Sequence, residues 1–154
     1  MISLLEHLRK MRRTGDPAPL VEIIPYLGFL GISMGTSGEE IIGKLSFGEH
    51  LIGNSLLPAL HGGTVGALLE STAIFTLLLK AETLRVPKTI NITVEYLRTG
   101  HPQDTFARAE FTKIGRRIAS VRAFAWQEER QRPIAAANAH FLLRPTDDDE
   151  TPSL

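Results

Sequence analysis

The chain has 154 residues, 43% of them apolar, with 17 basic against 17 acidic side chains and a formal net charge of zero. That length makes one domain with room for a true core, and the even charge leaves no cationic footprint for non-specific nucleic-acid binding. The absence of cysteine excludes disulfides, zinc–thiolate sites and a cysteine nucleophile.

Ile2 to Arg13 predicts a short amphipathic helix. Leu4, Leu5, Leu8 and Met11 share one face, with His7, Arg9, Lys10, Arg12 and Arg13 around it. A basic amphipathic helix can lie on a membrane. This one is short and lacks an aromatic anchor, so packing on the domain's own surface is preferred and no membrane partner is expected. The N-terminus has no uninterrupted apolar core with a small-residue cleavage site, which reads as a cytoplasmic protein without a leader. Gly15 to Pro19 is a break, so residues 1–19 form a helix and linker ahead of a main domain over 20–145.

Leu20 to Pro25 reads as a helical turn. Leu27–Thr36 and Glu40–Phe47 read as an antiparallel hairpin about Ser37-Gly38-Glu39. Gly48 to Leu60 is a loop holding Asn54 and the apolar residues Leu51, Ile52, Leu56, Leu57 and Leu60. Taken alone, Asn54 suits turn duty.

From Gly62 to Leu79 a helix is predicted that is apolar all round, with Glu70 its one charge. Its length approaches a bilayer span. A mid-helix carboxylate and the glycines at its start argue instead for a helix enclosed by a sheet. Glu70 is either paired structurally or a base or nucleophile. His61-Gly62-Gly63 favours the second reading. Glycines at a helix start leave backbone N–H groups uncovered, at the positive end of the dipole, where an oxyanion can be held. His61 reads first as a structural residue that bonds a loop carbonyl and places the glycine turn. No second His or carboxylate stands at ligand spacing from it, so no metal is expected. The helix should end near Glu82–Arg85, before Pro87.

Four strands follow: Thr89–Arg98, Thr105–Ile114, Ile118–Trp126 and Ile134–Arg144, expected as a consecutive antiparallel meander. Ala119, Ala123, Ala125, Ala135, Ala137 and Ala139 would let a helix approach that sheet closely. Residues 146–154, with Asp147-Asp148-Asp149-Glu150, read as a solvated, disordered acidic tail. The fold class is α+β, an antiparallel sheet wrapped around one long apolar helix, with an extra N-terminal helix.

The pattern Asn54…His61-Gly62-Gly63…Glu70, followed by a strand with Thr89 and Tyr96-Leu97-Arg98, resembles the hotdog-fold acyl-CoA thioesterases, in particular the phenylacetate-degradation (PaaI-type) group. The resemblance covers roughly Leu27 to Leu143. It implies hydrolysis of an acyl-CoA to free acid and CoA, without a cofactor. It further implies a carbonyl polarised by the Gly62 N–H, Glu70 acting as general base or nucleophile, Asn54 contacting the carbonyl or the water, His61 helping to orient substrate, and Thr89 orienting the water. In relatives the Asn, His and Gly come from one subunit and the acid and Ser/Thr from the other, which implies a homodimer or a tetramer of two dimers. Glu70 stands where many relatives carry Asp, and Thr99 where a proline often follows the Arg. Arg98, Arg116 and Arg117 are candidates for the CoA phosphates. Leu56, Leu57, Leu60 and Phe75 hint at an apolar or aromatic acyl group. The alternatives are a hotdog protein that binds acyl-CoA without cleaving it, a hydratase or dehydratase of similar fold, or an interaction module.

Overall fold

A computed structural model of the chain describes residues 2–81 and 85–143. Helix α1 (Leu4–Thr14) opens on a capping box, Ser3 with Glu6, and closes on Gly15 at φ 73°. Leu8 and Met11 are buried, whereas Leu4 and Leu5, expected on the packed face, stay exposed. Two short helices follow, α2 (Ala18–Val21) and α3 (Pro25–Leu30).

α3 corrects the expectation of a strand from Leu27. Pro25 pre-sets the first helical turn and Gly31, at φ 76°, ends it. Leu27 and Leu30, three apart, go inward, while Tyr26 and Phe29 stay exposed. Strands β1 (Ile32–Ser37) and β2 (Glu40–Leu45) then form the predicted hairpin. The expected loop is partly ordered. A 3-10 turn over Glu49–Leu51 leads to a small hairpin of β3 (Ile52–Asn54) and β4 (Ala59–Leu60).

Helix α4 (Gly62–Lys80) is the centre of the fold. It closes at Lys80, where the Ala81 N–H donates to the Leu77 carbonyl. The rest of its expected exit lies at 82–84, outside the described residues. Arg12 of α1 caps this end, donating to the carbonyls of Leu78 (3.0 Å) and Ala81. A guanidinium there satisfies orphan carbonyls and opposes the negative pole of the helix.

Strands β5 (Lys88–Tyr96), β6 (Thr105–Ile114), β7 (Ile118–Trp126) and β8 (Ala135–Leu142) match the predicted set closely. Their pairing does not. The six-stranded sheet runs β1-β2-β6-β7-β8-β5. Only β6, β7 and β8 make a meander, and β5 crosses to the far edge to pair with β8. Continuous apolar alternation marks a strand without naming its neighbour, and the helix preceding β5 carries the chain across the sheet.

α4 lies across the inner face of this sheet. The six alanines named from the sequence are all buried. The approach is close at Gly43 of β2, where a Cβ would stand 2.2 Å from Thr72 Oγ1 and 3.1 Å from Leu68 Cδ1. Thr72 and Thr76 are buried, and each hydroxyl is satisfied by the carbonyl four residues earlier, Leu68 or Thr72. α4 is the one described helix long and apolar enough to cross a membrane, and it is a core helix. Its other side is only half covered, at Ala67, Glu70, Ser71 and Ile74. The acidic tail predicted for 146–154 lies outside the described residues.

Candidate active site

The start of α4 is built by His61. As N-cap it accepts the Gly63 N–H on Nδ1 at 2.9 Å, and its own carbonyl takes the Thr64 N–H at 2.9 Å. Its backbone N–H donates to Leu51. The sequence reading had the ring bonding a loop carbonyl. Instead the ring is an acceptor within its own helix, and the backbone N–H makes the loop contact. With Gly63 and Thr64 taken, the Gly62 N–H has no partner among the described residues. It is an uncommitted donor at the mouth of the helix.

Asn54 comes to this end of the helix on the small hairpin. Gly53 makes that possible, since a Cβ there would lie 2.7 Å from His61 Cα. Asn54 Oδ1 accepts the N–H groups of Leu56 and Leu57 at 3.0 and 3.3 Å, an Asx-type turn. Its Nδ2 is left as a donor. Leu51 and Leu60 of the same segment turn into the core, as does Phe75, whereas Leu56 and Leu57 stand out at the tip, 90% and 72% exposed. The residues that hint at an apolar acyl group thus divide, and of the four only the tip pair, Leu56 and Leu57, is exposed.

Two turns along α4, half-buried Glu70 accepts the Thr89 hydroxyl on Oε1 at 2.7 Å. Thr89 lies beside a register shift in β5. The hydroxyl proton is therefore committed to the carboxylate, and the other carboxylate oxygen remains open.

The sequence-derived residues thus form two groups, Asn54–His61–Gly62 and Glu70–Thr89. Eight residues separate Gly62 from Glu70, an axial rise of about 12 Å. An oxyanion donor must lie about 3 Å from the carbonyl oxygen, and an attacking group about 3–3.5 Å from its carbon. Backbone to backbone, the two groups of one chain therefore stand well apart along the helix.

The three arginines also separate. Arg98 lies beyond β5, at the end of the molecule where α4 begins, and donates to the Pro133 carbonyl at 2.8 Å. It borders a cleft of about 430 Å³ shared with His101, Gln127, Glu129 and Arg132. Arg116 and Arg117 occupy the β6–β7 turn at the opposite end, about 33 Å away along β6. Among the described residues no three His, Asp or Glu side chains gather at metal-binding distance.

In the sequence Tyr96 stands out only as part of Tyr96-Leu97-Arg98. Its phenol lies across the first turn of α4, and its hydroxyl donates to the Gly62 carbonyl at 2.8 Å. The available signal was steric. A glycine at the helix start and an aromatic residue at the end of the next strand fit one another.

The sequence model of the thioesterase superfamily matches residues 57–134, just over half the chain and the span from β4 through β7. The chain belongs to the thioesterase superfamily, and its architecture is the hotdog fold. It is similar to a protein of known structure from Chromobacterium violaceum, at 37% identity over 90% of this chain and 97% of that one, with a TM-score of 0.74. It also shares its fold with a phenylacetic acid degradation-related protein from Ralstonia eutropha JMP134 (20% identity, 88% and 98% covered, TM-score 0.70). A Bacillus halodurans protein solved with CoA is likewise similar in fold (14% identity, 93% and 92% covered, TM-score 0.73). No curated protein matches the chain at a significant level.

Proposed function

We propose that the protein hydrolyses acyl-CoA thioesters in a homodimer, or a dimer of dimers, whose sites each take one group of residues from either subunit. The observation that carries this reading is the free Gly62 N–H at the mouth of α4, left over when His61 absorbs its neighbours. CoA bound to the Bacillus halodurans protein is consistent with the same ligand class here.

The thioester carbonyl oxygen accepts from the Gly62 N–H, helped by Nδ2 of Asn54. Glu70 of a second copy, oriented by Thr89, takes a proton from water as its oxygen bonds to the carbonyl carbon. The tetrahedral oxyanion collapses, the C–S bond breaks, and the CoA sulfur takes up that proton. Alternatively the Glu70 oxygen attacks directly: the C–S bond breaks, CoA leaves as the thiolate, and the mixed anhydride is opened by water, which returns the carboxylate and releases the free acid with a proton for the thiolate. Both routes draw on the same residues and need no bound cofactor.

Three features favour a second copy. The rise of about 12 Å between the two groups along one helix suits a site shared by two chains. The half-covered side of α4 carries Glu70 itself. And β5 is a sheet edge, with Ile90 and Tyr96 more than half exposed, that invites pairing. In that assembly residues 20–145 are the catalytic unit. Arg98 of one copy and Arg116 or Arg117 of the other can serve the CoA phosphates from one end, since two antiparallel β5 edges reverse one molecule against the other. Leu56 and Leu57 border the acyl group.

The test is release of free CoA from a panel of short, medium, long and aromatic acyl-CoAs. Release that is lost in Glu70→Gln, with folding and acyl-CoA binding kept, supports hydrolysis. Tight binding without release by the wild type would replace this reading with a non-catalytic acyl-CoA binder.

A further inference from the structure

We propose that Tyr96 is a positioning residue that fixes the tautomer of His61 through the Gly62–Gly63 peptide. The chain of contacts is continuous. The Tyr96 hydroxyl donates to the Gly62 carbonyl at 2.8 Å. The N–H of that same peptide unit, on Gly63, donates to His61 Nδ1 at 2.9 Å. A peptide hydrogen-bonded at its oxygen is more strongly polarised at its N–H, because linked hydrogen bonds strengthen one another. Tyr96 thus makes the Gly63 N–H a better donor and holds the plane of the peptide that carries it.

The consequence falls on the imidazole. A neutral ring has one donor nitrogen and one acceptor, and the hydrogen bond at one fixes the role of the other. Nδ1 is held as acceptor, so the proton resides on Nε2. His61 is exposed at the helix start, and Nε2–H is a directed donor at the end of α4 that also carries the free Gly62 N–H.

Sterics explain why both residues of the pair are glycine. A Cβ on Gly62 would stand 3.0 Å from Cζ and Oη of Tyr96, and one on Gly63 would stand 3.0 Å from His61 Nδ1. The first glycine admits the phenol and the second admits the imidazole. The effect on turnover rests on the hydrolase reading above; the effect on the tautomer does not.

The decisive variant is Tyr96→Phe, which keeps the ring over Gly62 and removes only the donor. ¹⁵N NMR of the imidazole nitrogens in the resting protein is expected to show His61 as the Nε2–H tautomer in the wild type, and as a mixture with the Nδ1–H form in Tyr96→Phe. Gly62→Ala, which displaces the phenol sterically, is expected to give the same mixture and guards against a folding artefact of the first variant. In turnover, Tyr96→Phe should lower kcat by roughly three- to tenfold with KM within about twofold. In a His61→Ala background it should cost nothing further, because residues that act through one another are not additive. An unchanged tautomer in both variants, or a kcat loss that persists without the imidazole, overturns the proposal. The NMR result stands whether or not any thioester is cleaved, so it separates failure of this inference from failure of the hydrolase reading.

Discussion

Thr89 and Glu70, nineteen residues apart in the chain, meet through a 2.7 Å hydrogen bond that ties the edge strand to the central helix. A hydrogen bond to a carboxylate typically contributes about 1.5–3 kcal/mol. Thr89→Val keeps the shape and loses the donor, and Thr89→Ser keeps the donor. The expected outcome is a kcat about tenfold or more lower for Thr89→Val and close to wild type for Thr89→Ser, with Thr89→Val melting a few degrees lower and Thr89→Ser near wild type. Equal activity in Thr89→Val would remove Thr89 from the site.

A site divided between two copies can be rebuilt by mixing. Glu70→Gln homodimers are expected to be nearly inactive, and His61→Ala homodimers to keep only a few per cent of wild-type turnover, low but measurable. Co-refolded in equal amounts, they form mixed dimers that carry one doubly altered site and one unaltered site, as an isologous pair requires. Activity should return to about a quarter of wild type. If none returns although mixed dimers are detected, each site is built within one chain.

Gly43 and Thr72 mark a close contact between sheet and helix. Gly43→Ala places a methyl against a buried hydroxyl on a rigid element. Overpacking of this kind costs about 1–3 kcal/mol. Chemical denaturation should show that loss, and Thr72→Ala added to Gly43→Ala should recover part of it. Additive losses would show that the helix simply shifts.

Asp104 gives the acid limb a specific residue. Its carboxylate accepts the Phe47 N–H at 2.8 Å and lies 3.1 Å from Lys44 Nζ. The backbone hydrogen bond first, and then Lys44, hold its pKa below the ordinary value. Stability from a depressed carboxylate is fully present above the unfolded value, about 3.9, and is lost as pH falls through the lower folded value. Asp104→Asn should therefore melt slightly below wild type at pH 6, with the gap closing as pH falls below about 4. Both partners are nearly half exposed, so the gap is small. A gap that widens in acid would contradict the assignment.

Periodicity revealed the elements that bury one face. β6 and β7 fall on their predicted bounds because Ala107, Ala109, Ala119, Val121, Ala123 and Ala125 alternate without interruption. It failed where end signals outweigh pattern. Pro25 and Gly31 make a helix of a segment whose apolar content reads equally well as strand. It also cannot report which strands are neighbours, so β5 was expected beside β6 and stands beside β8 instead. In the site, His61, Gly62 and Glu70 were legible because their residue types are unusual in their surroundings. Tyr96 was not, because nothing in a strand's pattern tells which helix end its last side chain reaches.

The bare edge of β5 also governs the protein's life as a newly made chain. Between Thr89 and Tyr96 its only charge is Glu95, and it has no proline. An unpaired edge of this kind has little to keep it from adding any compatible strand it meets. In the dimer proposed above, pairing through β5 is a protective step as well as a functional one. Dilution or an interface substitution should yield insoluble material more readily than quiet, soluble single subunits, and a slow-assembling variant would be lost to quality control before its active site was ever tested.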